Sequence, residues 1–169
     1  MAVSRSGRWS PEEAFRDVFA THYGAVFGYA ARRIGHDAAA DAAADVFTVA
    51  WRRIRGVPAE PETLPWLYGV ARRVVASHLR ANRRRDRLHV RAAAHAPAGR
   101  LEHDPAGLGS VLESLRESDR EVLMLAAWEG LGPDAIGRAL GCSKNAAAVR
   151  LHRARARLAE VWDQERGVR

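Results

Sequence analysis

Three aspartates, Asp37, Asp41 and Asp45, recur at four-residue intervals in the run DAAADAAAD. On a helix, residues four apart share one face, so the run makes an acidic stripe. Carboxylates so placed could share a divalent cation, as in a metal-dependent nuclease. No histidine or further acid pattern converges on them, however, and no glycine loop is shaped for phosphate. His89, His95 and His103 stand in a polar stretch without metal-ligand spacing, and no nucleophile sits beside a base. The chain is therefore expected to be no enzyme, with no catalytic residue, no metal and no cofactor. Two readings of the stripe remain. It is a solvated face, or it docks a basic partner, since Asp41 and Asp45 repel each other without an evident counter-charge.

The opposite chemistry lies in the stretch Leu131 to Arg157. Ala135, Ile136, Ala139 and Leu140 are apolar at helical spacing, and Gly141 is suited to a positive backbone angle. Ser143 can cap a second helix, whose Ala147, Leu151, Ala154 and Leu158 form one buried stripe. Lys144, Asn145, Ala148, His152 and Arg155 occupy the other surface, flanked by Arg150, Arg153 and Arg157, and no acid interrupts residues 144 to 157. Two short helices, a glycine turn and a cationic outer face describe a helix-turn-helix able to enter a DNA major groove; the plainer alternative is a helical hairpin with a solvated face. A second cationic surface is expected between residues 63 and 88. There Arg72, Arg73, Ser77, Arg80 and Arg84 turn outward, and Arg83 to Arg87 are basic except for Asp86. Trp66 and Tyr68 nearby could stack on unpaired bases while the arginines hold phosphate, but the apolar pattern favours both as core.

These groups need a helical scaffold. The 169 residues are 47% hydrophobic, much of that alanine, and nothing alternates with period two, which predicts an all-α protein. Ser10 followed by Pro11-Glu12-Glu13 opens a helix with Phe15, Val18, Phe19, Val26, Phe27, Ala30 and Ile34 at helical spacing, ended by Gly35. The aspartate helix follows and turns Phe47, Ala50, Trp51 and Ile54 toward a core. Residues 56–61 form a loop. A third helix begins near Thr63 with Trp66, Leu67, Val70, Ala71, Val74 and Leu79 inward. Between His89 and Gly107 the apolar period fails and prolines and glycines accumulate, as in a flexible linker. Two small helical domains, 10–88 and 108–163, thus flank a linker at 89–107. In the second, Leu108, Val111, Leu112 and Leu115 open the core, Ser118 or Asp119 caps the next helix, and Gly130 ends it. Cys142, in the turn, reads as a small buried filler. The net charge of +7 points to a polyanionic partner. No apolar run approaches the ~20 residues of a membrane span, so a cytoplasmic protein without membrane insertion is expected.

With both halves in view, the order of parts resembles a bacterial RNA polymerase sigma factor of the sigma-70 family, in the extracytoplasmic-function (ECF) group. The second half carries the more specific match, in LRESDREVL (115–123), WEGL (128–131), IGRALG (136–141) and VRLHRAR (149–155). The first half matches from Phe15 through Arg87, including Asp41, Asp45-Val46-Phe47, Trp51-Arg52-Arg53 and PWLYGVAR (65–72). The resemblance implies that the first domain binds a coiled coil on the largest subunits of core RNA polymerase through Asp41, Asp45, Phe47 and Trp51. It implies a −10 promoter surface at Trp66, Arg72, Arg73, Ser77, Arg80, Arg83 and Arg84. It places −35 recognition on Ser143, Lys144, Asn145, Ala148, Arg150, His152, Arg153 and Arg155, with promoter DNA and an anti-sigma factor as further partners. The chain departs from the family pattern at Ala40 and Ala44, where Glu and Gln are usual, at Arg73 for Asn, at Ser77 for Asp and at Ala146 for Thr. A stand-alone helix-turn-helix regulator is the alternative function; it has no need of an acidic docking helix beside a basic one.

Overall fold

The computed structural model describes residues 10–89 and 108–167, in which there are seven α-helices and no strand. The chain divides into two compact units, residues 1–99 and 100–169, each described by itself. Of the expected linker at 89–107, all but His89 lies outside the described residues.

In the first unit, α1 (Pro11–Ile34) starts with a reciprocal cap: the Glu13 N–H donates to Ser10 Oγ and the Ser10 N–H to Glu13 Oε2. Two otherwise orphaned donors are satisfied, and the acids Glu12 and Glu13 face the positive end of the helix dipole. Gly35, with φ of 82°, turns the chain directly into α2 (His36–Arg52). A short 3₁₀ turn (Ile54–Gly56) and a loop lead to α3 (Thr63–His89). Thr63 is fully buried, and its hydroxyl donates to the Pro58 carbonyl at 2.7 Å, tying the loop to the helix start.

The three helices pack on one another around Val18, Val26, Tyr29, Val46, Leu67 and Val70. On α2, Ala39, Ala42, Ala43 and Ala50 have no exposed surface, so small side chains let that helix lie close against its neighbours. The inward face of α3 is wider than the expected stripe, because Tyr68 and Val75 are also buried whereas Trp66, Val74 and Leu79 are only partly so. Tyr68 is thus core, its ring 5.3 Å from that of Tyr29.

The second unit comprises α4 (Leu108–Ser114), α5 (Glu117–Ala127), α6 (Pro133–Leu140) and α7 (Lys144–Gly167). Arg120 of α5 donates to the carbonyls of Leu112, Glu113 and Leu115, supplying partners for the open end of α4. Neither Ser118 nor Asp119 caps α5, which begins at Glu117 with no side-chain cap. Asp119 is buried instead and accepts a hydrogen bond from Arg157 of α7. A charged acceptor drawn from water needs such a partner, and that demand outranks the local capping preference.

Candidate nucleic-acid interface and docking face

α6, the turn and α7 form the expected helix-turn-helix. Gly141 sits in the left-handed region at φ 70°, and the Cys142 N–H donates to the Gly137 carbonyl at 2.8 Å. Ser143 caps α7 by accepting from the Ala146 N–H at 3.2 Å. Gly137 brings α6 against the turn, since a Cβ there would lie 2.8 Å from the Cys142 carbonyl oxygen. Cys142 is half-buried rather than fully enclosed.

Ala147, Leu151 and Ala154 are buried and Leu158 is partly so, which fixes the rotation of α7 about its own axis. Ser143, Lys144, Asn145, Arg150, His152, Arg153 and Arg155 are consequently exposed, and Ala148 is partly exposed. Arg157, expected on the cationic flank, is committed to Asp119. Val149 was not among the expected contact residues, yet it is 48% exposed on the same outer surface. Only its apolar type hid it, since exposure follows directly from its offset from the buried stripe.

On α3, Arg72, Arg73, Ser77, Arg80, Arg83 and Arg84 are all exposed. Arg73, Ser77, Arg80 and Arg84 succeed one another at spacings of four, three and four, which sets them in one stripe. Trp66 is half-buried at the start of the helix. It lines an open cavity of about 460 Å³ with Pro11, Ile54 and the arginines 52, 53 and 55. An indole edge among guanidinium groups is suited to an unstacked base and its phosphate.

The acidic face of α2 is present, with Asp37, Asp41 and Asp45 exposed. They point outward along one helix, and among the described residues no group of three or more acids, histidines or cysteines could hold a metal ion. Asp45 has a counter-group that local spacing could not reveal: its Oδ2 lies 2.9 Å from His78 Nε2 on α3, 33 positions along the chain. Phe47 is misplaced as a docking contact. It is 2% exposed, with the rings of Phe15, Phe19 and Tyr23 packed around it, so it supports the face from beneath. Trp51 lies at the surface, 42% exposed and edge-on to Phe15, and Phe19, 40% exposed, packs on Phe15 and Phe47. Trp51 and the three aspartates thus make the exposed surface of α2 both aromatic and anionic. No helix among the described residues is long and apolar enough to cross a membrane.

Comparison with known proteins places both units. Residues 18–85 match the family model for sigma-70 region 2, and residues 107–158 match that for sigma-70 region 4. The chain is 32% identical over 157 residues to the RNA polymerase sigma factor CarQ of Myxococcus xanthus, covering 89% of this chain and 90% of that one. Among solved structures it resembles CnrH bound to the cytosolic domain of CnrY, with TM-score 0.64, 27% identity and 90% of each chain covered. It also shares the fold of the sigma factor RpoE of Bartonella quintana, solved with the anti-sigma factor NepR, with TM-score 0.65, 22% identity, and 88% of this chain and 96% of that one covered.

Proposed function

We propose a division of labour between the two helical units of this chain, which belongs to the sigma-70 family of RNA polymerase sigma factors. The chain is a promoter-directing sigma factor of the ECF group. In the proposed division the first unit joins core RNA polymerase through the α2 side that presents Asp41, Asp45 and Trp51, with Phe47 as its buried support. α3 offers the −10 element a basic stripe, Arg72, Arg73, Ser77, Arg80, Arg83 and Arg84, for phosphate, and Trp66 for an unstacked base. α7 enters the major groove of the −35 element, its crest reading bases and its flanking cations holding phosphate. Domain limits of 10–88 and 108–163 with a tether at 89–107 belong to the same proposal.

The factor performs no bond chemistry itself; that belongs to the polymerase it directs. It acts where polymerase and chromosome are, in the cytoplasm. An anti-sigma factor that covers these surfaces is a further proposed partner, in keeping with CnrH, which was solved with a bound protein segment.

One observation carries the reading: a capped α7 whose buried stripe turns Lys144, Arg150, His152, Arg153 and Arg155 outward together, while a separate unit presents an acidic and aromatic face. The test is retention of core polymerase on immobilised protein. Wild type is expected to retain it, and Asp41→Lys with Asp45→Lys to release it while the helical circular-dichroism signal stays unchanged. Undiminished retention by that double variant overturns the docking assignment. A protein that binds DNA but never retains polymerase is the stand-alone regulator instead.

A further inference from the structure

Among the described residues three large apolar side chains are exposed: Phe19, Trp51 and Val149. The first two belong to the aromatic patch beside α2. Val149 stands apart, in the second turn of α7 on the surface proposed to face DNA. An isolated exposed valine is ordinary on a protein surface, so its place carries the inference.

A helix turns about 100° per residue. Measured that way from the buried stripe of Ala147, Leu151 and Ala154, Val149 points almost directly away from the rest of the domain. Asn145 and Arg153, one turn on either side, share that crest, while Lys144 and Arg155 fall on one flank and Arg150 on the other. A helix entering a groove sets its crest against the base edges and its flanks against the phosphate walls. The side chain at the centre of this crest therefore meets the floor of the groove, and here it can neither donate nor accept a hydrogen bond.

Among the features that base pairs present in the major groove, the thymine C5-methyl is the apolar one. Against a hydrogen-bonding edge a valine only displaces water; against a methyl group both apolar surfaces are buried. Branching at Cβ restricts the side chain to few rotamers in a helix, so little freedom is lost on contact. We infer that Val149 selects a thymine at one position of the −35 element by packing on its methyl group. This rests on α7 being the promoter-reading helix and adds the base feature that one position of it reads.

The experiment uses holoenzyme assembled from core polymerase and the full chain. Duplexes randomised over the −35 region are selected with wild type and with Val149→Ala, and the bound pools are sequenced. Wild type should favour thymine at one position, on either strand, and Val149→Ala should lose that preference. Replacing that thymine with deoxyuridine, which removes only the methyl, should weaken wild type about fourfold, as for one buried methylene-sized group, and leave Val149→Ala unaffected. Identical base preferences for the two proteins overturn the inference, as does an equal deoxyuridine loss in both. Alanine is a good helix former at an exposed site, so the variant is expected to fold. A separate arm tests the premise with Lys144→Ala and Arg150→Ala together. If that pair leaves promoter binding intact, the reading of α7 fails; if it weakens binding while the methyl does not matter, only the role of Val149 falls.

Discussion

The same substitution, glycine to alanine within a helix, should act with opposite sign in the two units. Gly24 lies in the interior of α1, is exposed, and a Cβ added there meets nothing within 4 Å. Alanine there removes conformational entropy from the unfolded chain and should stabilise the first unit by about 0.5–1 kcal/mol. Gly137 lies within α6, where the same helical gain applies, but its added Cβ would stand 2.8 Å from the Cys142 carbonyl oxygen and 3.3 Å from the Lys144 nitrogen and the Ser143 carbonyl carbon. Those atoms are backbone, so no rotamer change relieves the contact; the turn itself must open. Overpacking of this kind costs roughly 1–3 kcal/mol; against a gain of about 0.5–1 kcal/mol the middle of those ranges leaves a net loss of about 1 kcal/mol. The opened turn also tilts α7 relative to α6, so affinity for promoter DNA should fall together with stability. Residue-resolved native-state hydrogen exchange separates the units: protection should rise in α1 for Gly24→Ala and fall in α6 and α7 for Gly137→Ala. A Gly137→Ala protein as stable as wild type, or more so, would refute the close approach on which this rests.

Phe47→Ala, which empties a core site, should destabilise the first unit by about 3–5 kcal/mol in urea titration. Trp51→Ala should cost clearly less stability, yet weaken retention of core polymerase. Asp119→Ala should cost about 1–3 kcal/mol, since a buried, charge-assisted hydrogen bond is lost and a gap is left beneath α7, although the half-exposed Arg157 can turn to water. The double variant Asp119→Leu with Arg157→Met, which removes both charges and fills the space, should recover most of that loss in the same titration. Arg150→Ala should lower promoter affinity by about 1–3 kcal/mol if a base contact is lost and by less if only phosphate is, measured by holoenzyme binding to duplex. Arg73→Ala with Arg80→Ala should flatten the salt dependence of binding to single-stranded −10 DNA by about 0.7 in log–log slope per phosphate contact removed.

Features set by neighbours in the chain were legible in the sequence. Ser10 and Glu13 meet one turn apart, Gly141 supplies a left-handed turn, and Ser143 caps the helix it precedes. The buried stripe of α7 could be read because its surroundings are polar. Where the apolar pattern wraps too far around a helix, periodicity loses its power: on α2 Val46, Phe47, Ala50 and Trp51 adjoin one another, and only packing against α1 decides that Phe47 enters the core while Trp51 stays at its rim. On α3 the apolar pattern favoured Tyr68 as core, which it is, but the same ambiguity concealed Val75 and left Trp66, also favoured as core, half-buried at the edge of a cavity. Pairs made across the fold gave no local sign. Asp119 with Arg157 and Asp45 with His78 are separated by 38 and 33 positions, so Asp119 read as a cap and Asp45 as uncompensated. The approach at Gly137 is equally long-ranged in character, because it depends on where the following turn runs.

The Asp45–His78 contact joins the proposed polymerase face to the proposed −10 helix. If the proposed docking role of Asp45 holds, His78→Ala should leave that carboxylate more available and keep core binding at or above the wild-type level, and Asp45→Ala should weaken it.

The central claim is that one chain both joins the polymerase and chooses where it starts. Transcription in vitro from fragmented genomic DNA, with purified core polymerase and with each transcript's 5′ end mapped, tests this most directly. The account predicts a limited set of starts that appear only when the protein is added and share two upstream elements, near −10 and −35. It also predicts that Lys144→Ala with Arg150→Ala depletes that set although the variant still binds core. Starts that are the same with and without the protein would contradict it.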